Sequence, residues 1–132
     1  MTVAGGIHEL VGRLGFERIA LVVHYHDGAV AYAYAAAHRG EVERLAFLKL
    51  MLMGAGGELG LDHSRGEGLW HLSFHALGGE ACFGELPLEC MRLVADDVRG
   101  ASIPRCGHVV PEERPHALLE HLLPFLASRS AT

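Results

Sequence analysis

The hydrophobic pattern changes period several times along the chain. Ile7, Leu10, Val11 and Leu14 recur at helical spacing and Gly15 follows them, which predicts a helix over 6–14 closed by a glycine. The next apolar positions are contiguous: Ile19, Ala20, Leu21, Val22 and Val23 form a run that predicts a strand buried on both faces. Gly28 opens an alanine-rich stretch that predicts a helix over 28–38, ending in a basic turn suited to the helix dipole. Val42 to Leu50 reads as a second strand. Strand, helix and strand joined by short loops imply a right-handed parallel βαβ unit.

Residues 54–68 are a glycine-rich polar loop. Over 69–77, Trp70, Leu72, Phe74 and Ala76 alternate with His71, Ser73 and His75, a period of two that predicts a strand. Leu88, Met91, Leu93 and Val94 give a helix over 87–96, and 99–104 is a short last strand. Pro111 and Pro115 suit the entry of a helix carrying Leu118, Leu119, Leu122, Leu123 and Leu126, which Pro124 should bend. The expected fold is a single α/β domain over 1–132, a three-layer sandwich with a short, mostly parallel sheet of about four strands.

Composition narrows the function classes. The 132 residues suffice for a core, and half of them are apolar. Eleven basic residues, scattered among sixteen acidic ones, argue against a nucleic-acid surface. No apolar run approaches the ~20 residues of a membrane span, and the start lacks the pattern of a signal peptide. Cys82, Cys90 and Cys106 lack metal-ligand spacing and read as free thiols, so a cytoplasmic setting is expected. Gly54, Gly56 and Gly57 are not followed by the Lys-Ser/Thr pair of a phosphate-binding loop.

The chemistry-bearing residues gather at His24-Tyr25-His26-Asp27, at the carboxyl end of the first strand, where open α/β sheets bind ligands. The strand, the turn and Gly28 resemble the nucleophile elbow of α/β-hydrolases, in the branch of epoxide hydrolases and haloalkane or haloacetate dehalogenases. That branch has Gly-His-Asp-x-Gly-Gly here; this chain has Val23, Tyr25 and Asp27 where the first Gly, the Asp and the next Gly would stand. Gly78-Gly79-Glu80 and Gly107-His108-Val109-Val110-Pro111-Glu112-Glu113, followed by the leucine-rich helix, resemble later landmarks of the family in the same order. The resemblance implies the C-terminal half of an α/β-hydrolase, without its early strands, its oxyanion loop or most of its cap. Val23 and Asp27 should crowd a tight elbow.

By this resemblance, His108 is the base that activates water, and Glu80 either orients it or is a solvated surface residue. The family nucleophile is absent, because a phenol with an ordinary pKa near ~10 does not replace a carboxylate. Tyr25 either donates a proton to a substrate oxygen or fills the lost site, and Asp27 is the remaining local carboxylate. His24, His26, Trp70 and Phe74 are the expected contacts for a small apolar substrate. His24, His26 and Asp27 invite a metal reading, but His24 is explained by the resemblance and zinc needs about four ligands, so no metal and no cofactor is expected. Two function classes follow: an enzyme with altered hydrolase chemistry, or an inactive binding or structural module. An apolar strand over 18–24 at a sheet edge also predicts a homodimer, formed by edge pairing or by a swap of 69–132 through the 54–68 loop.

Overall fold

A computed structural model of the chain describes residues 2–25, 27–48, 73–92 and 95–128. Thr2 caps the first helix by accepting a hydrogen bond from the Gly5 amide at 3.1 Å, so α1 (Val3–Arg13) begins three residues earlier than its apolar spacing implies. Gly15, at φ 77°, turns the chain into β1 (Ile19–His24). The remaining elements are α2 (Asp27–Ala37), β2 (Val42–Leu48), β3 (Ser73–Gly79), α3 (Leu86–Arg92), β4 (Asp97–Ile103), α4 (Val110–Glu113) and α5 (Pro115–Ala127). The four strands form one sheet in the order β1-β2-β3-β4, with every neighbouring pair parallel. Of the strand expected over 69–77, residues 73–77 lie in β3, which runs on through Gly78 and Gly79 and leads into Glu80; 69–72 lie outside the described residues.

Alternation along β2 divides the core. Leu45 and Phe47 face Ala31, Tyr34 and Ala35 of α2 and Leu88 and Met91 of α3. Ala46 and Leu48 join Leu77 and Ile103 on the opposite face, under Leu118, Leu122 and Phe125 of α5. Helices therefore cover both faces of the central strands, as a parallel sheet requires. Pro124 lies within α5, which continues to Ala127.

Several expectations need correction. The apolar run of β1 is not buried on both faces: Leu21 and Val23 pack on the α2 side, whereas Ala20 is exposed and Val22 is 41 % exposed. The reason is position, since β1 is the edge strand and α5 packs over strands further into the sheet. α3 is described over Leu86–Arg92; the Ala95 amide still donates to the Met91 carbonyl at 3.1 Å, and Asp96 lies outside the helix. β4 begins at Asp97, two residues early, because its parallel pairing extends down to Ser73. The C-terminal helical segment is broken at Arg114 into α4 and α5. Cys82, Cys90 and Cys106 are free, as expected. The 54–68 loop lies outside the described residues.

The face under α5 also buries polar groups. Arg44 and His75 are each 6 % exposed, and among the described residues neither ring nitrogen of His75 has a hydrogen-bond partner. The His75 ring lies against Phe125 and His121, with centroids 5.0 and 6.1 Å away. Burial, then the charges of His121 and Arg99, push its pKa down to about 4. The unfolded chain therefore takes up this proton near pH ~6.5 and the folded chain does not until near 4. The stability tied to neutral His75 is complete above pH ~6.5 and declines as the pH falls, by about 2–3 kcal/mol at pH 4. Denaturant titrations at a series of pH values should show this loss, and His75→Phe should flatten the curve over that window.

Candidate active site

All strands are parallel, so their carboxyl ends lie on one side of the sheet, and two turns meet there. The first follows β1. Tyr25 has φ 54°, a left-handed backbone that costs a non-glycine residue about 1 kcal/mol or more. The turn is held from both sides: the Tyr25 amide donates to the Leu48 carbonyl and the Gly28 amide donates to the Tyr25 carbonyl, each at 3.2 Å. Val23 packs toward the α2 face and Asp27 is exposed at the start of α2, so the expected crowding does not prevent the turn. A strained strand-to-helix turn that lifts one side chain above the sheet is the geometry of a nucleophile elbow. Here that side chain is a phenol, 40 % exposed.

The second turn follows β4. Arg105, at φ 51°, bends the chain, Cys106 is buried and His108 is exposed beyond it. Although β4 is the far strand of the sheet, this loop reaches β1. The His24 Nε2–H donates to the His108 carbonyl at 3.3 Å, and a carbonyl can only accept, which fixes the His24 tautomer. The rings of Tyr25 and His108 meet edge to face with centroids 5.0 Å apart, and the His24 ring lies 5.9 Å from that of His108. Three sequence-selected residues, His24, Tyr25 and His108, thus come together across 84 residues of chain.

Two carboxylates hold this loop. Glu80 accepts from the Arg105 amide at 2.9 Å, so its contact is with the base of the loop. Glu113, which the sequence reading did not single out, accepts from the Gly107 amide at 2.7 Å and the Val109 amide at 2.9 Å, bracketing His108. These bonds, Val109 first and then Gly107, hold its carboxyl below the usual range. The available signal was its place at the end of the Pro-Glu-Glu motif, one short helix beyond the histidine. Among the described residues no carboxylate pairs with the His108 imidazole. The Cys106 thiol is pushed up by burial, which leaves it a packing residue. His26, Trp70 and the side chain of Phe74 lie outside the described residues.

No family model matches the sequence, and no curated protein sequence matches it. Solved structures do. A Pseudomonas aeruginosa protein assigned to the epoxide hydrolases superposes with a TM-score of 0.77 at 21% identity, over 94% of this chain and 70% of its own. The epoxide hydrolase CorEH superposes with a TM-score of 0.70 at 19% identity, covering 92% of this chain and 74% of that one. A carboxylesterase structure from Nitrososphaera gargenis gives a TM-score of 0.70 at 15% identity, over 95% of this chain and 70% of its own. Among the described residues no helix is long and apolar enough to cross a membrane. With its parallel sheet, its strained turn after β1 and its histidine loop after β4, the chain has the α/β-hydrolase fold.

Proposed function

We propose that the chain is an epoxide-hydrolase-like protein that opens a small apolar substrate by acid–base chemistry, without a covalent ester. The observation that carries this reading is the pairing of Tyr25, raised on the elbow, with His108 at 5.0 Å between ring centroids. In this reading the His108 imidazole takes a proton from water, and the water oxygen forms a bond to a ring carbon of the epoxide. The ring C–O bond breaks as the Tyr25 hydroxyl gives its proton to the departing oxygen. The imidazolium proton then returns to the tyrosinate, and epoxide plus water has become a diol. Asp27 is a second acceptor for the water proton, and Glu80 supports the His108 loop through Arg105. His24, with His26, Trp70 and Phe74, supplies substrate contact. A cytoplasmic setting suits the three free thiols.

The test is diol formation from a panel of small epoxides. His108→Ala should lower turnover by about a hundredfold or more and Tyr25→Phe by about tenfold or more. Turnover unaffected by both changes would remove the proposal. One observation favours the second reading, an inactive binding module: no described carboxylate orients the His108 ring. That reading expects saturable binding of the epoxide with no diol.

The exposed edge and face of β1 support a homodimer in which two copies pair antiparallel through 18–24. Light scattering should give a dimer at micromolar concentration, and Val22→Lys should dissociate it. A dimer untouched by that charge would point instead to exchange of 69–132.

A further inference from the structure

We propose that His8, His38 and Glu41 form a divalent-metal site that ties α1 to the turn between α2 and β2. The site lies at the end of the sheet opposite the elbow, because Glu41 immediately precedes β2 whereas His24 ends β1 and Tyr25 follows it. It draws on three parts of the chain: His8 from mid-α1, His38 from just beyond α2, and Glu41 from the entry to β2.

Both imidazoles turn Nδ1 toward one carboxylate oxygen. His8 Nδ1 lies 2.9 Å from Glu41 Oε1 and His38 Nδ1 lies 3.8 Å from it. One ligand atom from each of the three residues falls within 4.8 Å of the others. Ligand atoms around a tetrahedral zinc are roughly 3.4 Å apart, given bond lengths near ~2.0–2.2 Å, so three corners would be completed by closure together with a rotation that brings the two stacked rings out of parallel, each plane then containing the ion. The imidazole planes stack at 4.0 Å, inclined by 6°. Two imidazoles and a carboxylate whose ligand atoms lie this close form a donor set suited to zinc, with cobalt or nickel as substitutes.

The support around Glu41 fits the same role. The Tyr34 hydroxyl, on a fully buried ring, donates to Glu41 Oε2 at 2.5 Å, and His8 Nδ1 lies within reach of both carboxylate oxygens, 2.9 Å from Oε1 and 3.1 Å from Oε2. A hydrogen-bonded carboxylate of this kind is held in orientation before any metal arrives. His8 is half-exposed, so a cation can enter from solvent and water can fill the remaining coordination position. The sequence alone does not point here, because 33 residues separate His8 from Glu41.

The experiment is calorimetric titration of the full chain, freed of metal, with zinc ion alone at pH 7.5, with cobalt absorption as a second readout. One zinc per chain is expected, with a rise in melting temperature. His8→Ala and His38→Ala should each weaken binding by at least tenfold, while circular dichroism without metal shows both variants folded. Binding should weaken as the pH falls, because protons compete with the metal for the ligand nitrogens. His24→Ala should bind zinc as the parent does. Any of three results overturns the proposal: no stoichiometric binding by the parent, binding unchanged in the folded His8 and His38 variants, or binding abolished by His24→Ala.

Discussion

Gly79→Ala should cost about 3 kcal/mol or more and displace the His108 loop. Gly79 is the last residue of β3, and the loop after β4 crosses directly against it. A Cβ at this position would lie 2.1 Å from the Gly107 carbonyl oxygen and 2.6 Å from that of Cys106. Both are backbone atoms, so no side chain can swing aside. The end of β3 would have to leave its register with Ile103, or residues 106–108 would have to lift from the sheet. Gly12→Ala is the matched control. A Cβ there meets nothing within 4 Å, and alanine in a helix should stabilise by about 0.5–1 kcal/mol. Denaturant unfolding of the two variants beside the parent should give shifts of opposite sign.

Glu113→Ala should detach His108 from its working position. The carboxylate accepts from the amides on either side of this residue, and removing it leaves both donors unpaired at once. If the proposed function holds, turnover of an epoxide should fall by about a hundredfold, the usual scale for misplacing a reacting group by an ångström. Amide exchange at Gly107 and Val109 should quicken even if the melting temperature barely moves. Glu113→Gln should fall between, because its oxygen can accept from one amide while its NH2 group opposes the other. The same contact sets a pH dependence. Glu113 is held below its usual pKa, so its stabilising contribution is complete above the unfolded value of ~4.3 and is lost as pH falls through the lower folded one.

The order of elements was legible because β1, α2 and β2 change period cleanly and β3 alternates polar and apolar positions. The open face of β1 was not, because contiguous apolar residues look alike in a central strand and in an edge strand. Edge position depends on the order of the whole sheet. The buried Arg44 and His75 were hidden for a related reason: alternation marks which residues share a face, and only the placement of α5 decides that this face is covered. At the site, the elbow and the Gly-His turn could be read from short motifs. The holding contacts could not, since Glu80 and Glu113 act on backbone amides of a loop that curls back over the sheet. A carboxylate near a histidine in sequence suggests an acid that orients the ring; both of these carboxylates instead position the chain that carries it.

The proposed opening of an epoxide without a covalent ester can be tested in one turnover. Excess protein is mixed with an epoxide in 18O-water, and both the diol and the peptide spanning 18–39 are weighed by mass spectrometry. Direct attack by water places 18O in the diol formed on the first turnover and leaves the carboxylate of Asp27 unlabelled. An unlabelled first diol together with 18O in Asp27 would mean that the carboxylate had formed an ester, and would contradict acid–base opening by His108 and Tyr25.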